Sequence, residues 1–256
     1  MRWVARVVGV LGYVYLRFCY LTSRYLMTSQ ADASLRACWD RGVATVFVCW
    51  HDEFLLSLIT LQTPRFRKVL FITNDSFGGV FLETFCRCLG TRFQVIRRRA
   101  SREERLLGMA AGLARQGALG IAADYGPPWF SARPTAWQLA RLTEGNVVAT
   151  RLEPKRKLRL RMADRHAYIP LPFNRYALVA GVPLSPQVPE RTAGASKIAA
   201  SLAEQPGERE VLSAELHRLR ERSVFASIQP PPIGPGPAPE QPAISEQAAL
   251  PRQELR

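Results

Sequence analysis

Apolar positions fall into two regimes along the chain. From residue 43 to about residue 182, short apolar runs alternate with stretches whose apolar residues recur every three or four positions, the pattern of strands interleaved with helices. The runs at 43–50, 69–73, 93–96, 118–123, 147–152, 158–162 and 177–182 predict strands; helices are predicted at 53–61, 80–89, 101–116 and 135–142. Such alternation predicts an α/β fold, a single layered domain with a largely parallel central sheet flanked by helices. The early runs lack polar alternation and predict strands covered on both faces. Lys157-Leu158-Arg159-Leu160-Arg161 does alternate, which predicts a strand with one wet face. A further helical period runs over 208–225.

The other regime is N-terminal. Residues 3–21 are almost wholly apolar and are broken only by Arg6 and Arg17; the uninterrupted run, 7–16, is ten residues, half of the roughly 20 needed to span a bilayer. On a helical wheel Arg2, Arg6, Arg17 and Arg24 fall within about 60° of one another, opposite Val4, Val7, Leu11, Val14, Phe18 and Leu21. No acid precedes Asp32. The pattern predicts a basic amphipathic helix lying among lipid headgroups; its alternative is an ordinary helix packed on the domain with its arginines in solvent. No small-residue cleavage site follows Arg17, so a secretory signal is not predicted, and the expected location is the cytoplasmic face of the plasma membrane. Three segments follow: an N-terminal membrane-associating helix at 1–28, an α/β domain at 29–226, and a Pro-rich tail at 227–256 expected to be disordered.

Composition narrows the partners. The chain has 256 residues and a formal charge of +14, from 35 Lys and Arg against 21 Asp and Glu, which calls for an anionic partner: nucleic acid, an anionic membrane or a phosphorylated substrate. With 47% apolar and 22% charged residues, a wholly disordered or fibrous chain is excluded. The charge concentrates in the N-terminal arginines, in 97–105 and in 155–165. No single-strand stacking pattern or groove-reading motif accompanies it, so nucleic acid is not the expected partner. Five cysteines without a CxxC pair predict neither a disulfide framework nor a zinc site, and three scattered histidines predict no metal. Oligomeric state has no signature in these residues.

Three places carry chemistry. His51 follows the apolar run 43–50 and precedes a helix, at the sheet edge where ligands bind in open α/β folds; it can act as a general base or simply satisfy a helix start. Asp124 ends the run 118–123 and opens the loop Asp124-Tyr125-Gly126-Pro127-Pro128-Trp129, either a cleft wall or an Asx-closed turn. Arg97-Arg98-Arg99-Ala100-Ser101-Arg102 joins a strand to a helix, suited to phosphate, although Ser101 and Glu104 also fit a capping box. Cys49, two residues before His51, shares its strand face, but burial argues against a nucleophile. His166 and His217 are expected on the surface.

In their order these segments resemble the lysophospholipid acyltransferase-like superfamily, most closely an uncharacterised bacterial branch. The likeness runs from about Leu11 to Pro186 and rests on Tyr-Leu-Thr-Ser-Arg-Tyr at 20–25, Phe-Val-Cys-Trp-His at 47–51, Leu-Gly-Thr-Arg-Phe at 89–93, Arg-Arg-Arg-Ala-Ser-Arg at 97–102, Ile-Ala-Ala-Asp-Tyr-Gly-Pro at 121–127, Gln-Leu-Ala-Arg-Leu-Thr at 138–143 and Ile-Pro-Leu-Pro-Phe at 169–173. The resemblance implies a membrane-associated acyltransferase. In it His51 deprotonates a hydroxyl of a lysophospholipid or related (glyco)lipid, which attacks the acyl group of acyl-CoA or acyl carrier protein. These are co-substrates, and no other cofactor is implied. It implies Asp124 as the group orienting His51, and Arg99, Ser101, Arg102, Tyr125 and Gly126 as substrate contacts. The chain departs from the superfamily where an acid stands five residues after the histidine, here Leu56, and where glycines give way to Arg98, Glu103 and Glu104. Those departures support a second expectation, a catalytically lapsed homologue that binds lipid.

Overall fold

The structure, a computed structural model, describes residues 2–74, 76–96, 99–123, 134–162, 165–186 and 207–225. The chain divides into two compact units, Met1–Val224 and Phe225–Arg256, and every element below belongs to the first. The expected disorder of 227–256 falls outside the described residues.

The α/β architecture is as expected. Nine strands are described: β1 (Arg24–Met27), β2 (Thr45–Cys49), β3 (Leu70–Asn74), β4 (Phe93–Ile96), β5 (Ala118–Ala122), β6 (Asn146–Pro154), β7 (Leu158–Met162), β8 (Arg165–Ile169) and β9 (Arg175–Ala180). Seven form one sheet in the order β1-β9-β6-β2-β5-β3-β4, and β7 and β8 form a separate antiparallel hairpin. Five neighbours from β6 to β4 run parallel; β9 is antiparallel to β6, and β1 parallel to β9. All five residues of β2 are buried, as a strand covered on both faces requires.

Helices α1 (Arg2–Thr22), α2 (Ser29–Trp39), α3 (Phe54–Thr60) and α4 (Phe77–Leu89) cover one sheet face, over a core containing Leu35, Phe47, Leu56, Phe85 and Tyr176. Helices α5 (Arg102–Gln116) and α6 (Thr135–Thr143), with a last helix α7 (Glu208–Glu221), cover the other, over Val46, Val48, Leu113, Leu119, Leu139 and Leu216. Helix starts are fixed by side chains accepting backbone N–H groups: Thr28 for α2, Ser76 for α4 and Ser101 for α5.

Three N-terminal expectations change. The helix is a continuous 21 residues through Arg6 and Arg17, about 31 Å long, so the ten-residue run understates it. It is long and apolar enough to associate with a membrane. Arg24 does not join the arginine stripe: the helix ends at Thr22 and Arg24 opens β1, paired with Arg175. Residues 1–28 are accordingly not a segment apart, since β1 is a sheet strand and Thr28 caps α2.

Two kinds of apolar surface share α1. Ala5, Gly9, Leu16 and Cys19 are buried, whereas Trp3, Val7, Leu11, Val14, Phe18 and Leu21 stay exposed. The buried stripe is rich in small residues because α4 comes close: a Cβ on Gly9 would lie 2.8 Å from Thr84 Cβ and 2.9 Å from the Phe81 carbonyl oxygen. Gly9→Leu is therefore expected to destabilise the fold by about 1–3 kcal/mol through overpacking. Gly78→Ala, where a Cβ meets nothing within 4 Å, serves as its neutral control in denaturant unfolding.

The β7–β8 hairpin also revises an expectation. Its apolar positions, Leu158 and Leu160, are exposed along with Lys157 and Arg159, so neither face of that strand is dry.

Candidate active site

The parallel pairing of β2 with β5 brings two of the predicted loops together. Val48 lies opposite Ile121 and Cys49 opposite Ala122, and Ala123 N–H donates to the Cys49 carbonyl at 2.7 Å. The chain therefore leaves both strands at the same carboxyl edge, with His51 one residue past Trp50. Asp124, Tyr125 and Gly126 lie outside the described residues. So does the pairing of Asp124 with His51.

His51 opens a short 3-10 turn, His51–Glu53, that runs into α3. Its ring is half-buried and stacks on Phe54 with centroids 6.3 Å apart. Phe54 also borders a cavity of about 40 Å³ between α3 and the sheet, lined further by Phe47, Cys49, Phe71, Gly120 and Leu152. Cys49 faces this space and is itself buried, and the Arg151 guanidinium that also lines it is engaged by Glu53 rather than offered to the thiol as a nucleophile's setting requires.

The two acids after His51 are occupied. Glu53 Oε1 accepts from Arg151 Nε at 2.9 Å, and both side chains are buried. Asp52 Oδ2 accepts from Arg220 Nη2 at 2.8 Å. Burial pushes the Glu53 carboxyl above its ordinary pKa, and the adjacent Arg151 guanidinium opposes that shift. Arg151 Nη1 also donates to the carbonyls of Leu219 (2.9 Å) and Arg220 (2.7 Å) at the end of α7, satisfying the acceptors a helix end leaves open. Glu153 accepts from Ser223 Oγ at 2.7 Å and Val224 N at 2.8 Å. Five charged side chains from the turn, β6 and α7 thus clamp the last helix beside the strand end that presents His51. Leu56, where the superfamily has its acid, is buried in the core.

Sequence reasoning missed Arg151, Glu153 and Arg220. The signal for the first two was their position inside an apolar strand, where a charge must find a partner. His217 was expected on the surface; instead it is half-buried, its ring 5.1 Å from that of Trp50.

The arginine segment lies farther off. Three strand spacings separate β4 from β2 in the sheet order, roughly 14 Å. Ser101 caps α5: its hydroxyl accepts from Glu104 N–H at 3.1 Å while its own N–H donates to Glu104 Oε2 at 2.7 Å. Arg99 and Arg102 are exposed at the same carboxyl edge as His51. Among the described residues no group of three His, Cys, Asp or Glu side chains could hold a metal ion. Comparison with protein-family models finds no match, and comparison with curated proteins finds none either.

Proposed function

We propose that the protein is a membrane-associated acyltransferase in which His51 is the general base. One observation carries the reading: His51 stands at the carboxyl edge of a central, fully buried parallel strand, in ring contact with Phe54, which walls an apolar cavity. The resemblance to lysophospholipid acyltransferase-like proteins supplies the reaction class. The imidazole takes the proton of a lipid hydroxyl as its oxygen forms a bond to the acyl carbonyl carbon of acyl-CoA or acyl carrier protein. The C–S bond then breaks, and the departing thiolate recovers the proton. Asp124, next in the chain after Ala123, is the group assigned to orient the imidazole. The cavity has room for about one water-sized group, so an acyl tail enters only if Phe54 moves aside. The outward apolar face of α1 and its exposed Arg2 and Arg6 support attachment to the lipid that holds the acceptor; the cytoplasmic face is the side proposed.

The second reading, a lapsed enzyme that binds lipid, draws on Asp52 and Glu53 being taken up by arginines and Leu56 being buried. The test is transfer of labelled acyl chains from acyl-CoA and acyl carrier protein to lysophospholipid vesicles by the purified chain. Transfer supports the enzyme; none across a broad panel of acceptors, with vesicle binding intact, supports the lapsed form.

A further inference from the structure

The turn joining β8 to β9 folds over the end of α1. Tyr15 Oη donates to the Pro170 carbonyl at 2.6 Å, Phe173 N–H to Thr22 Oγ1 at 3.3 Å and Asn174 N–H to Ser23 Oγ at 3.1 Å. Asn174 is buried and binds this turn to the loop after β6: its Oδ1 accepts from Arg156 N (3.0 Å) and its Nδ2 donates to the Arg156 carbonyl (2.9 Å). Lys155 N–H donates to the Arg175 carbonyl at 2.8 Å, and Arg24 N–H to the Asn174 carbonyl at 3.0 Å.

These bonds gather Arg24, Lys155, Arg156 and Arg175, with Lys157 next in the chain after Arg156, all exposed, around one aromatic residue; the Arg156 guanidinium also donates to the Pro172 and Phe173 carbonyls. Phe173 is 68% exposed and holds a left-handed backbone, φ 54°, a conformation a bulky side chain rarely adopts. The network fixes that conformation and directs the ring outward, where it meets Phe18 edge-on at 5.8 Å and so extends the apolar face of α1. The acid described nearest along β6, Glu153, is buried and bonded to Ser223 and Val224.

We propose that this collar seats the protein on anionic phospholipid, with Phe173 entering the interface and the five cations contacting headgroups. An exposed aromatic continuous with an apolar helix face suits a bilayer boundary, where apolar and charged contacts lie within a few ångströms of each other. A nucleic acid would match the charge but not the apolar strip. The collar lies at the sheet edge that carries His51, since Tyr176 at the start of β9 pairs with Pro154 at the carboxyl end of β6. Pro154, where β6 ends, is five residues beyond Ala149, the residue paired with Val48, and so lies about 16 Å past that level; Lys155 follows it. The inference rests on the membrane attachment proposed for α1 and is independent of the proposed chemistry.

The experiment is co-sedimentation of the full chain with vesicles of phosphatidylcholine alone and of phosphatidylcholine mixed with phosphatidylglycerol. Each cation near an anionic surface contributes about five-fold in binding. Lys155→Gln/Lys157→Gln is therefore expected to weaken binding to mixed vesicles about thirty-fold and to leave binding to neutral vesicles unchanged. Phe173→Asn, a residue that tolerates positive φ, is expected to weaken binding to both kinds on the order of ten-fold. Wild-type affinity in both variants, while Leu11→Asn on α1 loses binding, would overturn the collar and leave the attachment of α1 standing. Absence of wild-type binding to any vesicle would overturn both. Displacement of the vesicles by duplex DNA at equal phosphate would overturn the collar in favour of nucleic acid. None of these outcomes bears on acyl transfer, which detergent-dispersed acceptor measures separately.

Discussion

His51→Asn is expected to lower kcat for acyl transfer by about 10²- to 10⁴-fold, the contribution of a positioned general base, while the variant folds and binds vesicles as the wild type does. The side chain is half-buried in a short turn rather than set in the core, and asparagine retains polar atoms there. Loss in kcat with little change in KM is the signature of a group acting on the proton in flight rather than on ground-state binding. The measurement is steady-state transfer from acyl-CoA, with thermal unfolding of both proteins as the control for folding. Equal turnover would remove His51 from the reaction.

Arg151→Met is expected to cost about 3–5 kcal/mol of unfolding free energy, as breaking one side of a buried ion pair does. The loss has two sources: Glu53 keeps a buried carboxylate without its partner, and the Leu219 and Arg220 carbonyls lose their donor. The pH dependence separates them. Burial raises the Glu53 pKa and Arg151 opposes the rise, so removing Arg151 raises it further. Above the unfolded value of about 4.3 the native variant then holds a proton that the unfolded chain has released. Its stability falls as pH rises through that window until the folded pKa is passed. Denaturant unfolding at about pH 4 and pH 7 should show the smaller deficit at the acid end, and Arg151→Met/Glu53→Gln should recover part of the loss at pH 7. Equal deficits at both pH values would assign the whole effect to the helix-end carbonyls.

The central elements were legible because their signal is local. The strand expected at 93–96 is β4 residue for residue, and the helix expected at 135–142 ends one residue later, at Thr143. Much of what escaped depends on partners far along the chain. The four residues of β1 have no period of their own and become a strand only by pairing with β9, some 150 positions on. β8 escaped for a different reason: its partner β7 is next in the chain, but Arg165–Ile169 carries too short an apolar run to announce a strand. Helix α2 was not anticipated because Ser29–Trp39 has a weak apolar stripe, Ala31, Leu35 and Cys38, that is buried by the sheet rather than by its own pattern. At the site, the strand end bearing His51 could be read from the apolar run before it. The charges that clamp α7 could not, because Arg151 and Arg220 lie 98 and 168 residues from the acids they meet.

The small-residue stripe of α1 bears on how the protein can be handled. Leu16 and Cys19 belong to the same core as Leu35 and Phe85, and the strand that continues the helix is hydrogen-bonded into the sheet. Trimming residues 2–22 to obtain a detergent-free fragment would thus uncover the interior and leave α4 without its cover. A soluble derivative is better reached by resurfacing: polar replacements at Trp3, Leu11 and Val14, whose side chains point away from the body, keep the inner stripe and remove only the surface proposed to meet the bilayer.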